Sequence, residues 1–249
     1  MQRSNRPSLR VLGLCASLGL AAVTPYAALA QGAVTVKQFD DGGVYEGTFR
    51  NGRQHGRGTY RLPNGYEYTG DWVDGEIQGQ GTAKFVNGSI YVGQFENGKP
   101  NGQGRIVFGD GTTYEGDWLD SQMTGQGIAS YADGAVYQGG FLNARHHGKG
   151  VLQEPSGYVY DGDWVDGLRE GSAIVTEADG AVYEGTMVAG QRSGQGRITL
   201  PDGLIFVGEW ADGQFDGQGK LTFPNGDVYE GTFLKGKRLL DSGWPPGLS

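Results

Sequence analysis

The chain has 249 residues, of which 48 are glycine, 13 tyrosine and 5 tryptophan, and its formal net charge is −8. Glycine at this level without a three-residue period excludes collagen, and the many aromatic residues exclude a disordered glycine linker. The acidic balance and the lack of a basic cluster exclude nucleic acid as a partner and predict weak or indirect membrane association, because both surfaces attract basic segments.

Residues 1–30 have the composition of a secretory signal peptide. Three arginines precede an apolar run over residues 11–23, and Ala28-Leu29-Ala30 forms an A-x-A cleavage site. The run is shorter than the roughly 20 residues that span a bilayer. We therefore expect cleavage before Gln31 and export to the periplasm or the cell exterior. The mature chain would lack Cys15, the single cysteine, and would carry a net charge of −11 because three arginines and no acid are removed.

From residue 45 onward the sequence repeats a unit of 23 residues. Each unit opens with a large aromatic residue, followed two positions later by glycine and four positions later by a large apolar residue. A G-x-G pair follows at offsets 11 and 13. The opening aromatics are Tyr45, Tyr68, Tyr91, Tyr114, Tyr137, Tyr160, Tyr183, Phe206 and Tyr229, and the first four glycines are Gly47, Gly70, Gly93 and Gly116.

Each unit is predicted to be a β-hairpin. The opening aromatic, the glycine and the next apolar residue alternate, so they share one face of a first strand. A loop such as Asp74-Gly75 leads to the second strand, and a turn such as Asn64-Gly65, with both residues at positive φ, closes the unit. The predicted fold is all-β, an elongated single-layer antiparallel meander in which glycine makes room for rings that lie on the backbone.

The motif Y-x-G-x-[WF]-x-x-G-x-x-x-G-x-G resembles the MORN repeat family (membrane occupation and recognition nexus) over residues 45–236. The resemblance implies a twisted antiparallel sheet that serves as a scaffold or docking surface, in a family linked to membranes, phosphoinositides and partner proteins. Four departures put the regularity of the middle units in question. They are Ser121 and Ala144 at the loop glycine, Ala173 in the G-x-G pair, and Met187 at the Trp/Phe position.

The repeat divides the chain into four segments. The signal peptide covers residues 1–30, and a half-repeat over residues 31–44 caps the start of the array. Residues 45–236 hold eight full units and a partial ninth, and residues 237–249 form a C-terminal cap or tail. Such terminal segments are expected because the end units of a repeat array must cover an open edge.

A second period of 46 residues lies inside the first. Alternate units carry tryptophan with an acid directly before it, and the units between them carry phenylalanine or methionine. The resulting candidate binding row consists of Trp72, Trp118, Trp164, Trp210, Asp71, Asp117, Asp163 and Glu209. Two explanations stay open: inherited packing after duplication of a 46-residue pair, and a docking row that contacts a long or repetitive partner.

No catalytic residue, cofactor or metal site is predicted. His55, His146 and His147 fall before the G-x-G pair and are assigned to loops on a solvated edge, too scattered for a shared metal ion. The acids of the tryptophan row are too far apart for glycosidase chemistry, which needs carboxyl groups within about 5–9.5 Å.

The sequence thus predicts a non-catalytic, exported repeat scaffold that docks a protein partner on its aromatic sheet face. The alternative is a binder of carbohydrate or of a cell-envelope polymer, since rows of exposed aromatic side chains suit sugar rings. Association with a lipid surface is the third hypothesis, and the acidic charge argues against it.

Overall fold

A computed structural model describes residues 32–239, and every regular element in this range is a β-strand. The predicted signal peptide and the end of the C-terminal tail lie outside the described residues. The strands are β1 Thr35–Gln38, β2 Val44–Arg50, β3 Arg53–Arg61, β4 Glu67–Val73, β5 Glu76–Lys84, β6 Ile90–Glu96, β7 Lys99–Val107, β8 Thr113–Leu119, β9 Gln122–Ser130, β10 Val136–Leu142, β11 Arg145–Gln153, β12 Val159–Val165, β13 Leu168–Thr176, β14 Val182–Val188, β15 Gln191–Thr199, β16 Ile205–Ala211, β17 Gln214–Thr222, β18 Val228–Leu234 and β19 Lys237–Arg238.

The 19 strands form one antiparallel sheet in which each strand pairs with its neighbours in the chain. A seven-residue first strand and a nine-residue second strand alternate from β2 to β17. The short strands β1 and β19 lie at the two edges of this sheet. The predicted single-layer meander of 23-residue hairpins is confirmed.

The turn inside each unit has two residues, both in the left-handed region of backbone space. Asp74 and Gly75 join β4 to β5 with φ of 51° and 98°, which is the primed hairpin turn that matches the twist of the strands. Ser121 and Ala144 replace the glycine of this turn and still adopt φ of 70° and 62°. The departures in the middle units therefore preserve the hairpin, at a backbone cost of about 1 kcal/mol for each residue that has a Cβ.

The turn that closes each unit differs from the one expected. Leu62 N donates to Tyr66 O at 2.9 Å, and Gly65 N donates to Leu62 O at 3.1 Å. Gly65 alone has a positive φ, 93°, while the Asn64 side chain accepts a hydrogen bond from Tyr66 N at 3.0 Å. The turn is thus a three-residue type I turn ending in a glycine bulge, so positive φ at Asn64 was a wrong prediction. Asparagine and aspartate are used here for their side-chain oxygen.

Rings of the opening aromatics lie flat on glycine backbone, as predicted. A Cβ on Gly47 would lie 2.5 Å from Cζ of Tyr45, and a Cβ on Gly58 would lie 2.5 Å from Cε2 of the same ring. Tyr45 is fully buried although the sheet has one layer. Its ring meets Phe49 of its own unit edge-to-face at 5.1 Å and Trp72 of the next unit at 5.2 Å. Such contacts stabilise by roughly 0.5–1.5 kcal/mol each beyond the burial of area.

This ring-to-ring pattern continues through the sheet and forms its core. Tyrosines of successive units meet the tryptophan or phenylalanine on either side with centroids 4.9–5.5 Å apart, up to Tyr160 and Trp164. The pattern is interrupted at Met187, which is buried but has no ring, and resumes between Tyr183 and Trp210 at 5.1 Å. We call the side of the sheet that carries these rings the aromatic face, and the other side the outer face.

Candidate functional site

The tryptophans and acids of the predicted binding row lie on opposite faces of the sheet. Asp117 and Trp118 are neighbours on β8, so their side chains point to opposite sides. Trp118 is 7% exposed and packs on the aromatic face, whereas Asp117 lies on the outer face. The same separation holds for the other three pairs. The structure therefore forms two rows where one was predicted, and a binding role for either row stays a prediction.

The four tryptophans are packed into the core. Their residues are only 4–7% exposed, so other side chains of the sheet cover most of each ring. The indole Nε1 of Trp118 donates to Gly104 O at 3.0 Å, and those of Trp72 and Trp164 make the equivalent bond to Gly58 O and Gly150 O. These bonds anchor the three indoles to the second glycine of the G-x-G pair in the preceding unit, whereas the buried Nε1 of Trp210 has no such bond.

The pairing within each of these units is shifted by a β-bulge, as between β8 and β9. The four acids accept a hydrogen bond from the backbone of the second strand at this bulge. The first glycine of each G-x-G pair has a positive φ, as at Gly125 with 57°, and this turns the next N–H toward the first strand. Asp117 Oδ2 accepts from that N–H, on Gln126, at 2.7 Å. The equivalent bonds join Asp71 to Gln80, Asp163 to Ser172 and Glu209 to Gln218 at 3.0–3.1 Å. This position thus has a structural role, which the sequence analysis missed.

Tyrosine hydroxyls satisfy the other backbone group that the bulge releases. Tyr91 OH donates to Gln94 O at 2.9 Å, and Tyr137 OH donates to Gly140 O at 3.0 Å. Burial raises the pKa of Tyr91 and of Tyr137 to about 12. The hydroxyls therefore remain protonated donors at any physiological pH, which assigns these tyrosines to structure.

A second row on the aromatic face carries the variable chemistry of the protein. It lies nine residues after each opening aromatic, and pairing places each member opposite the large apolar residue of its unit, as Met123 is opposite Trp118. We call it the cover row. It consists of Gln54, Ile77, Pro100, Met123, His146, Arg169, Arg192, Phe215 and Arg238.

Side chains of the cover row lie on the rings of the core. Phe215 stacks on Phe206 with 3.9 Å between centroids, and the Arg169 guanidinium lies 5.5 Å from the ring centre of Tyr160. Sequence reasoning missed this row because no single residue type recurs through all of it: three of the nine members are arginine and the other six all differ. The signal that could have found it is its constant distance from the G-x-G pair.

His146 belongs to the cover row, and its assignment to a solvated loop was wrong. All three histidines lie inside second strands, because the two-residue turn ends earlier than expected. The imidazole of His146 packs on Tyr137, and its Nε2 is 2.6 Å from the hydroxyl of Tyr131. Burial lowers its pKa to about 4, so the ring is neutral near pH 7.

Recesses open on the aromatic face beside members of the cover row. One of them, of about 630 Å³, is lined by Ile106, Phe108, Trp118 and Met123 together with the turn residues Ser121, Asn143 and Ala144 and with Gln122. A recess of about 410 Å³ lies around Arg169 and Arg192, and one of about 260 Å³ lies around Phe215. Each of these recesses has room for an added side chain.

Neither a metal cluster nor a membrane-spanning helix occurs in the described part of the chain. Within residues 32–239, no three His, Cys, Asp or Glu side chains converge as metal ligands do. Over the same residues, no helix has the length and apolar character needed to cross a bilayer.

Comparison with known sequences identifies the repeat. The MORN repeat model matches eight consecutive segments, residues 45–65, 68–90, 91–113, 114–136, 137–157, 160–182, 183–205 and 206–228. Alsin of Rattus norvegicus is 42% identical over 57 residues, which are 21% of this chain and 4% of Alsin. Alsin of Homo sapiens is 39% identical over 57 residues, 21% of this chain and 3% of Alsin. The match to these curated relatives thus spans only a small part of their length.

Similar solved structures include the wild-type TCP10 domain of Danio rerio CPAP, with a TM-score of 0.47, 14% identity, and coverage of 84% of this chain and 99% of that one. The same domain with a STIL peptide has a TM-score of 0.33, 16% identity, and coverage of 81% and 100%. The family model alone accounts for most of the chain in eight consecutive copies. On the evidence of these repeats and of the hairpins that they form, the protein belongs to the MORN repeat family.

Proposed function

We propose that this protein is a non-catalytic scaffold that docks a polypeptide across its aromatic face. The observation that carries the proposal is the contrast between the core of that face and the cover row that lies on it. The core repeats tyrosine, glycine and tryptophan or phenylalanine from unit to unit, whereas the cover row changes its chemistry at nearly every step.

A surface that recognises a repetitive polymer is expected to repeat its contact side chains. The cover row instead presents aliphatic Ile77, the thioether of Met123, the imidazole of His146 and the guanidinium of Arg169. Such a succession of different groups gives specificity for a partner whose own groups differ along its length. A polypeptide has this property, and a repetitive glycan lacks it.

The recess at Met123 suits an apolar side chain of the partner. Ile106, Phe108 and Met123 line it, and methionine adapts its shape to different ligands. Ser121 and Ala144 at its rim keep left-handed backbone angles of 70° and 62°. Strain of this kind is often retained at functional positions.

Site-specific photocrosslinking tests the proposal. A benzophenone amino acid replaces Met123 or Phe215 on the aromatic face, and Leu119 or Val207 on the outer face serves as the matched control in the same hairpin. After irradiation in the producing cells, the proposal expects polypeptide adducts at Met123 and Phe215 and few at the controls. Adducts that consist of sugar alone, or that form only from the outer face, would contradict it.

We further propose that docking takes place outside the cytoplasm. The composition of residues 1–30 supports this, with its basic start, apolar run and A-x-A site. The intact mass of the protein recovered from the producing cells is expected to match a chain that begins at Gln31. A mature product that retains Cys15 would contradict export through a cleaved signal.

A further inference from the structure

The second recess of the aromatic face differs in chemistry from the first. It has a volume of about 410 Å³, and its walls include Tyr158, Arg169, Glu177, Met187 and Arg192. We call it the arginine recess. It lies at Met187, where the aromatic contacts of the core are interrupted, and it brings two guanidinium groups to one cavity of an acidic protein.

Arg169 is the guanidinium without an acidic partner. Its guanidinium carbon is 5.0 Å from the ring centre of Tyr158, 5.5 Å from that of Tyr160 and 5.9 Å from that of Trp164. Among residues 32–239, no carboxylate oxygen lies within 4 Å of its side chain, and its side chain makes no hydrogen bond. A guanidinium held by aromatic rings keeps the N–H groups at its edge available for an acceptor.

Arg192 shows which acceptor the recess accommodates. Its Nη2 donates to Oε1 of Glu177 inside the cavity, with side-chain exposures of 20% and 33%. Its guanidinium also lies 5.1 Å from the ring centre of Tyr183 and 5.3 Å from that of Trp210. One arginine of the recess is thus already engaged by a carboxylate of this chain. At the equivalent position beside Arg169, Glu154 accepts a hydrogen bond from the Ser156 hydroxyl at 3.3 Å and does not pair with Arg169.

We propose that Arg169 receives an aspartate or glutamate side chain of the docked polypeptide. The inference rests on the proposed function, since it concerns the partner of the same face. A carboxylate can accept two parallel N–H bonds from one guanidinium. A dianionic phosphate fits less well, because Glu177 and Asp212 also line the recess and repel a second negative charge.

The positions of the two recesses predict the spacing of two side chains in the partner and which of them lies toward β13. Met123 lies on β9 and Arg169 on β13, four strands apart. At about 4.8 Å per strand the separation is about 19 Å, or about six residues of extended chain. The docked segment is therefore expected to carry an apolar residue and an acid roughly five to seven positions apart, with the acid toward β13.

Selection from a random 16-residue peptide library displayed on phage, with the full chain as bait, tests the inference. The selected peptides are expected to contain an apolar residue and an acid at this spacing. The best peptide, its Glu→Gln form and its phosphoserine form are then titrated against the wild type, Arg169→Met and Arg197→Met. Arg197 is an exposed arginine of the outer face and serves as the matched control, and melting temperatures confirm that each variant folds.

On the wild type and on Arg197→Met, the Glu→Gln peptide is expected to bind at least about tenfold more weakly than the parent, because a charged hydrogen-bond pair is lost. The phosphoserine peptide is also expected to bind more weakly than the parent, because Glu177 and Asp212 repel its second negative charge. On Arg169→Met, the parent and Glu→Gln peptides are expected to bind equally. Equal binding of these two peptides to the wild type, or discrimination that survives Arg169→Met, would overturn the inference and leave the proposed function standing. A library that yields no enriched peptide would contradict the proposed function, and this inference with it.

Discussion

The imidazole of His146 lies parallel to the phenol ring of Tyr137, with 3.6 Å between the ring centroids and 12° between the planes. The edge of the same imidazole meets Phe141 and Trp164. Protonation would place a positive charge in this largely apolar stack. Burial accordingly lowers the pKa of His146 to about 4 from an ordinary value of 6.5.

His146 is predicted to make folding stability depend on pH between 6.5 and 4. The unfolded chain binds a proton at His146 in this range and the folded chain does not, so the free energy of unfolding falls as pH falls through it. The contribution of His146 is present in full above pH 6.5, and we expect about 1–2 kcal/mol of it to be lost by pH 4, after allowance for partial exposure. Denaturant unfolding at pH 7.5, 5.5 and 4.5 measures it against His146→Phe, which copies the stacked Phe215. Parallel pH profiles of the two proteins would refute this role.

Gly93→Ala is predicted to destabilise the sheet by roughly 2–3 kcal/mol. The new Cβ would lie 2.5 Å from Gly104 Cα and 2.6 Å from the Tyr91 hydroxyl. The Tyr91 ring would therefore have to move off the glycine backbone on which it packs. The control is Gly88→Ala, where nothing lies within 4 Å and φ is 85°, and backbone strain alone should cost about 1 kcal/mol. Thermal unfolding of both variants checks the difference, and equal losses would show that the ring can move freely.

Asp117→Ala is predicted to lower stability by about 1–2 kcal/mol, because the N–H of Gln126 loses its acceptor. Asp117→Asn retains an acceptor oxygen and should lose less. Glu115→Ala on the same face is the control, since its side chain is 73% exposed and the change should stay within about 0.5 kcal/mol. If Asp117→Ala keeps full stability and loses partner binding, the acids are a docking row and their part in the bulge is minor.

Trp118 separates the two explanations of the 46-residue alternation. Trp118→Ala should cost about 3–5 kcal/mol as a core truncation. Trp118→Phe makes the unit resemble those of Phe95 and Phe141 and loses only the bond to Gly104 O, so it should cost about 1 kcal/mol. Inherited packing predicts that Trp118→Phe binds a selected peptide as the wild type does. A loss of about tenfold or more with folding intact would instead establish the tryptophans as docking residues.

Much of the fold was predictable because it depends on residues that recur. The spacing of Tyr45, Gly47 and Phe49 predicts a strand with one buried face. The pair Asp74-Gly75 predicts a two-residue turn with positive φ at both positions, which most other residue types disfavour. The packing of aromatic rings on glycine backbone was also predictable from the sequence, because a single-layer sheet has no second layer to bury the rings.

The candidate site was less accessible to sequence reasoning. A β-bulge shifts the strand register within each unit, and the G-x-G motif does not reveal the size of the shift. The pairing of Met123 with Trp118 could therefore not be predicted from the sequence. His146 was misplaced because the turn ends at Ala144 and the second strand already begins at Arg145. Asp117 was noticed beside Trp118, but the alternation of faces and the bond to Gln126 appear only when the second strand is in place.

The central claim is that the aromatic face, and within it the cover row, docks a polypeptide. The most direct test is the affinity of one selected peptide, by calorimetry, for Met123→Asp and for Leu119→Asp. Met123 lines the recess of about 630 Å³, and Leu119, 59% exposed in the same hairpin, lies on the outer face. The account predicts at least about a tenfold loss for Met123→Asp and a change within about twofold for Leu119→Asp. Wild-type affinity of Met123→Asp together with weakened binding of Leu119→Asp would contradict it.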